Sequence, residues 1–201
     1  MTDGIDARFF DLIAHLHRGG QFAHFWVKDG GSGNKQSHWF AVGQAQPLST
    51  TYLTTCDIYF TVNPVSAAAD RSIHRKSHKA DVAAVNCLWA EFDDKDFSGN
   101  ATGYAAQLAP APSVTIHSGG GVHAYWLLQD TFVIGSKEAK DEIDSIQKRW
   151  QVHQGGDKGV NDLARVLRVP GSLNFKYTPP RVVEIRLWEP GRLYNLANLA
   201  A

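Results

Sequence analysis

The stretch that most constrains this chain is "VNCLWAEFDDKD", residues 85–96, an apolar run that ends in the carboxylates Glu91, Asp93, Asp94 and Asp96. Read as a strand, it sends alternate side chains to opposite faces. Val85, Cys87, Trp89, Glu91 and Asp93 then share one face, and Asn86, Leu88, Ala90, Phe92 and Asp94 the other. Glu91 and Asp93 become an i, i+2 pair pointing the same way. Two ionised carboxylates that close repel unless a cation sits between them or one takes up a proton. A solvated strand-to-loop junction is the other way to accommodate them, and these residues alone do not separate the two. Asp94 is set aside by strand parity, and Asp96 because it falls past the strand.

The 201 residues suit one compact domain, or one domain of two lobes, with a substantial core. Lys plus Arg equals Asp plus Glu, 20 each, so net charge gives no sign of a polyanionic partner, and any nucleic-acid site must come from local clustering. Cys56 and Cys87 fit neither a disulfide framework nor a zinc motif and lie in strand-like runs, which predicts buried free thiols in a reducing compartment. With no signal peptide, lipidation motif or membrane-length apolar stretch, the expectation is a soluble cytoplasmic protein with no membrane partner.

Residues 5–18 carry Phe9, Leu12, Ile13 and Leu16 at helical spacing, stopped by Gly19 and Gly20. "QFAHFWV" and "SHWFAV" flank the turn "DGGSGN" and predict a hairpin, with "CDIYFTVNP" as a further strand. Residues 66–81 read as a basic loop with a short helix, and a helix is expected near 101–108. "SKEAKDEIDSIQKRWQVH" predicts a helix of about four turns. "NDLARVLR" reads as a short helix ended by Pro170 and Gly171, "RVVEIRLW" as a late strand and "LYNLANLA" as a last helical piece. Strands and helices mix without regular βαβ alternation, which favours an α+β fold.

Two more clusters bear chemistry. "SGGGVH", residues 118–123, places three glycines between Ser118 and His123. Glycines let a backbone approach a ligand closely and aim N–H groups at an anion, and the Ser and His add donors suited to phosphate. A plain hairpin turn explains the glycines equally well. No Lys-Ser/Thr ending follows, so this is not a P-loop. "GGDKGVNDLARVLRVPGSLNFK", residues 155–176, holds Asp157, Arg165, Arg168, Ser172, Asn174 and Lys176. Arginines three apart lie on one side of a helix, and a guanidinium fork matches phosphate oxygens. A solvated basic face is the alternative, weakened by the apolar neighbours Val166, Leu167 and Val169.

Taken in order, the three clusters resemble the archaeo-eukaryotic primase superfamily, the primase-polymerases, and most of all its RepB-like phage and plasmid branch. The acidic pair matches "EFD", the Ser/His motif matches "SGGGVH", and the third carboxylate matches Asp157 in "GGDKGV". "ARVLRVPGSLNFK" is similar to the family's Arg-x-x-Arg-x-Pro-Gly-Ser-x-Asn-x-Lys stretch, and "IYFTVNP" and "PSVTIHSGGGVHAYW" look like that branch too. The likeness runs from about residue 55 to 176. One departure stands out: the family more often has Asp-x-Asp or Asp-x-Glu where this chain has Glu91 and Asp93.

The resemblance implies a single catalytic domain over 1–201, cut from a longer primase-helicase chain, with an N-terminal α/β lobe over about 1–65 and a catalytic lobe over about 82–190. The latter would be an RRM-like mixed or antiparallel sheet with flanking helices, and the active site would lie in the cleft between the lobes. It implies a DNA primase-polymerase using two Mg²⁺ or Mn²⁺ ions on Glu91, Asp93 and Asp157, with His123 among the catalytic residues. Ser118, Gly119, Gly120, His123, Arg165, Arg168 and Lys176 would hold a dNTP or NTP. Single-stranded DNA template, a primer strand and a helicase domain or subunit are the implied partners. Arg71, Arg75, Lys76 and Lys79, just ahead of the acidic strand, are template-contact candidates, while Trp26, Trp39 and Trp126 are explained more simply by packing. A gap-filling repair polymerase on the same core and a non-catalytic replication initiator are the competing functions. A metal-dependent nuclease would not explain the Ser/His turn and the Arg-x-x-Arg stretch together.

Overall fold

The computed structural model describes residues 4–44, 48, 50–157, 159 and 162–200. The first helix, α1 (Arg8–Leu16), buries the predicted stripe of Phe9, Leu12, Ile13 and Leu16. Next, β1 (Phe22–Asp29) and β2 (Lys35–Ala41) form the expected antiparallel hairpin. Its turn is held by Asp29, whose Oδ1 accepts from the Gly31 and Ser32 N–H groups. A short helix, α2 (Thr50–Thr55), runs straight into β3 (Cys56–Thr61), which pairs with the other edge of β1. Phe9 packs edge-on against Phe25 and Phe60, at ring separations of 6.3 and 4.9 Å, and so fixes α1 on the apolar face of these strands.

The acidic strand is β4 (Ala84–Asp93), followed by a single 3-10 turn and α3 (Ala101–Ala105). A second hairpin joins β5 (Val114–His117) to the long β6 (Gly121–Val133). The 17-residue α4 (Lys137–His153) is the predicted long helix, started by Ser136, whose side chain accepts from the Ala139 N–H. Short strands follow: β7 (Val166–Arg168), β8 (Leu173–Asn174), β9 (Arg181–Val182), β10 (Glu184–Trp188) and β11 (Leu193–Tyr194), and then α5 (Leu196–Ala200). One sheet has the order β2-β1-β3-β7. The other runs β10-β5-β6-β4, with β11 parallel to β6 beyond the end of β5, and β8 and β9 make a small ribbon. The fold is α+β, with largely antiparallel sheets and helices packed around them.

One expectation changes. The stretch "NDLARVLR" is not helical where it is described: Val166–Arg168 is extended and adds a fourth strand to the first sheet, with Tyr59 opposite Arg168 and Phe60 opposite Leu167. The unpaired edge of β3 takes up hydrogen bonds that a helix would have kept internal. The first sheet thus gains a strand from more than a hundred residues downstream of its other strands.

The two sheets share α1 as a joint. His17 at its end pairs with the Thr61 carbonyl at 2.8 Å on the first sheet. Asn86, on β4 of the second, donates to the carbonyls of Leu16 and Arg18, both at 2.8 Å. Between the sheets and helices lie the fully buried Trp89, Tyr125, Trp126 and Phe92. Cys56 and Cys87 are buried free thiols, as the composition implied. Among the described residues, no helix is long and apolar enough to cross a membrane.

Candidate active site

β4 is an outer strand of its sheet, paired with β6 on one side. Its other side would leave backbone groups bare, a costly arrangement inside a protein. Gln147 of α4 closes it: the amide oxygen accepts from Trp89 N–H at 3.2 Å, and the amide nitrogen donates to Trp89 O at 2.9 Å. Two residues on, the Glu91 carbonyl accepts the Asp157 N–H at 3.0 Å, while Gln151 donates to the Asp157 carbonyl at 2.7 Å. The loop after α4 is thus laced to the acidic strand, and Asp157 is brought beside Glu91. Gln147 and Gln151 were invisible to sequence reasoning, since their partners are main-chain groups rather than complementary side chains.

Glu91 lies mostly buried, its side chain 14% exposed, and is gripped by Arg165 through Nε–Oε1 at 2.6 Å and Nη2–Oε2 at 2.9 Å. Burial raises its pKa, the Arg165 bond opposes that shift, and the charges of Asp157 and Asp93 add to it, so the three predicted carboxylates share one field. The Asp93 side chain is 47% exposed and pairs with Lys95 at 3.0 Å. Asp157 is exposed, and its Oδ1 accepts from the Gly159 N–H. Hard oxygen donors of this kind suit Mg²⁺ or Mn²⁺. Among the described residues they do not converge into a ready ion cage, because Arg165 holds both oxygens of Glu91. Asp94, set aside by parity, accepts from Ala101 N–H and pairs with His117 at 3.2 Å.

His123 stands directly opposite Glu91 across the β4–β6 pair, with Nε2 3.9 Å from Oε2. Burial lowers its pKa to about 3, and Arg165, Arg168 and His117 push the same way, so the ring is neutral at physiological pH. The glycine turn packs tightly. Gly119 has φ +85°, and a Cβ on Gly120 would come within 2.1 Å of the Tyr177 hydroxyl. Ser118 is used by the turn itself, its Oγ donating to Gly121 O at 3.1 Å and its carbonyl accepting from Asn174 at 2.7 Å.

Arg168 is buried on β7 and pairs with Asp57 of β3, which also accepts the Phe175 N–H at 3.0 Å. Asp57 is a further residue the sequence did not single out. Its place beside Arg168 depends on the β3–β7 pairing, which no local pattern signals. Arg165, Arg168, Lys176 and Ser118 line one open cleft with Glu91 and His123. The basic loop divides. Arg71 donates to the Ala67 and Ala69 carbonyls, Arg75 pairs with Asp81, and Lys79 pairs with Asp144, so these three brace the loop. Lys76 instead stands over the Trp26 ring and within electrostatic reach of Arg165. A separate cavity under α1, lined by Phe9, Ile13, Phe25, Phe40 and Leu48, is apolar and has no acid facing it.

The arrangement of the two sheets and their helices is similar to that of solved AEP-domain primase structures. The AEP domain of the cyanophage S-2L primase-polymerase superposes with a TM-score of 0.68, at 17% identity over 98% of this chain and 97% of that one. The primase RepB' gives 0.61 at 14% identity, over 96% of this chain and 59% of that one. The catalytic domain of RepB' in complex with initiator DNA gives 0.57 at 12% identity, over 96% and 92% of the two chains. No family model and no curated protein matches the sequence.

Proposed function

We propose that this protein is a DNA primase-polymerase that transfers nucleotides from a dNTP or NTP to a 3′-hydroxyl on a single-stranded DNA template and releases pyrophosphate. The observation that carries the reading is the cleft that sets Glu91, beside Asp93 and Asp157 in one field, against Arg165, Arg168, Lys176 and His123. Glu91, Asp93 and Asp157 would hold divalent Mg²⁺ or Mn²⁺. When bound, a pair of such ions activates the attacking oxygen and stabilises the leaving one.

The chain's own residues do the rest. Arg165, Arg168 and Lys176 offer charge-assisted hydrogen bonds to a triphosphate. Arg165 comes from the acid that neutralises it, Glu91, and can exchange that carboxylate for a phosphate in place. Asp57 fixes the direction of Arg168. Neutral His123 keeps one ring N–H for a phosphate oxygen without adding charge. The glycine turn makes room for Tyr177, Asn174 and Arg181 to pack against that end of the cleft. The fold likeness to a primase solved with initiator DNA supports a DNA partner. A helicase companion and a cytoplasmic setting belong to the same proposal.

Primer extension on single-stranded DNA, with and without an annealed primer and with Mg²⁺ or Mn²⁺, tests it against Asp93→Ala. Metal-dependent synthesis lost in the variant is the expected result, and products on unprimed template would make the enzyme a primase. No synthesis by folded protein that still binds template would replace this reading with that of a replication initiator.

A further inference from the structure

Across the first sheet, strand register lines up a row of residues: Ser37 opposite Trp26, Trp26 opposite Tyr59, and Tyr59 opposite Arg168. Directly opposed residues share a face, so this row lies on one side of the sheet. The other side carries Phe25, Val27, Ile58 and Phe60 into the core. Trp26, Tyr59 and Arg168 are in contact in turn, while Ser37 is buried, its hydroxyl donating to the Arg75 carbonyl at 2.7 Å. The Trp26 and Tyr59 rings are 5.5 Å apart, and Arg168 lies 4.7 Å above Tyr59. Lys35 and Lys76 stand 5.4 and 5.7 Å from the Trp26 ring. Trp26 and Tyr59 are partly exposed, while Lys35 and Lys76 are exposed. The row begins in the cleft, where Tyr59 and Arg168 form part of the wall, and runs outward to the β1–β2 hairpin.

Cations outnumber acids along this face. Lys28 sits directly opposite Lys35 across β1 and β2, where like charges repel, and opposite Asp57 across β1 and β3, a carboxylate already paired with Arg168. Lys76 is exposed as a residue, but its ammonium lies close enough to protein for partial burial to lower its pKa; Asp162 opposes the shift, while Arg165 and Lys35 deepen it. Cations crowded around partly exposed aromatic rings, leading into the cleft, complement a polymer that alternates flat bases with phosphates.

We infer that this face is the track along which a single strand of nucleic acid reaches the cleft, one base stacking on Trp26 and the adjoining phosphates meeting Lys35 and Lys76. Of the basic loop, then, Lys76 makes the contact, and Arg71, Arg75 and Lys79 hold the loop that presents it. The inference deepens the polymerase reading and rests on it only for calling the strand a template.

The test is fluorescence anisotropy with a labelled oligothymidylate in metal-free buffer at several salt concentrations. Lys35→Glu/Lys76→Glu should weaken binding by about ten-fold or more and flatten the dependence of log K on log salt by roughly 1.4, at about 0.7 per lost phosphate contact on a single strand. Trp26→Ala should weaken it roughly five- to ten-fold at every salt concentration, with Trp26→Phe recovering most of the loss. Lys137→Glu/Lys140→Glu, on α4, carries the same change in net charge and should change nothing. Wild-type binding by the Lys35/Lys76 double variant, or an equal loss in the α4 double variant, overturns the track. The lysines are exposed, so that variant remains informative even if Trp26→Ala unfolds. Weakened binding in a protein that makes no DNA would keep the track and remove the polymerase reading, whereas normal synthesis with unweakened variants would do the reverse.

Discussion

The guanidinium of Arg165 forks the carboxylate of Glu91, with bonds of 2.6 and 2.9 Å, so the acid at the centre of the cleft is neutralised by the cation nearest to it. Removing one partner leaves the other partly buried and unpaired, which is costlier than removing both. Arg165→Ala should therefore lower stability by about 2–3 kcal/mol, and Arg165→Ala/Glu91→Gln should recover most of it. Thermal denaturation of the three proteins checks this. Arg165→Ala should also slow synthesis on the order of 10²–10³-fold through loss of a phosphate contact.

Carboxylates crowded in one field bind a divalent cation partly to relieve their own repulsion. Mg²⁺ or Mn²⁺ should accordingly raise the melting temperature of the wild type more than that of Asp93→Asn. Differential scanning fluorimetry with and without metal reads the difference, and equal shifts would argue against a metal site centred on Asp93.

Gln147 bonds both main-chain groups of Trp89 from 58 residues away. Gln147→Leu keeps the volume but strands a buried N–H and a buried carbonyl, at about 1–3 kcal/mol each. Chemical denaturation should show a loss in that range or somewhat above it. Hydrogen exchange at the Trp89 amide should quicken, and synthesis should fall because Glu91 sits two residues along the loosened strand.

Two buried histidines remote from the acids set the acid limit of the fold. Burial lowers the pKa of His17 to about 4 and that of His24 to about 3, the latter with help from nearby Lys76 and His38. Unfolded, both titrate near 6.5, so between those limits the unfolded chain holds more protons. Their contribution is fully present above about pH 6.5 and is lost progressively as the pH falls toward 4 and then 3. With His123, also held to about 3, three buried histidines contribute, so the slope should reach about 4 kcal/mol per pH unit, one proton being worth about 1.4. His24→Gln should remove roughly a third of it in unfolding titrations.

Much of the candidate site could be picked out in the sequence because its residues lie in short, ordered clusters. The alternation that pairs Glu91 with Asp93 and discards Asp94 needs only the geometry of a strand. The helical reading of "NDLARVLR" failed because the spacing of Arg165 and Arg168 mimics a helical period, whereas the backbone of Val166–Arg168 is claimed by the open edge of β3. Asp57, Gln147 and Gln151 were silent for a related reason. Each acts through a partner at least six residues away, and for Asp57 and Gln147 the partner lies across the fold. The departure Glu91 makes from the commoner aspartate also gains a physical sense, since this side chain engages both donors of Arg165.

The lacing of β4 by Gln147 and Asp157 has a bearing on how this protein behaves in a crowded cell. A strand with a bare rim recruits another strand, most readily one from an identical molecule. Here the strand that carries the acids lies at the border of its sheet and so runs that risk. An amide side chain and a loop amide occupy the rim in a form that no incoming strand can extend. The rim at Trp89 and Glu91 is thereby closed to a strand from a second copy.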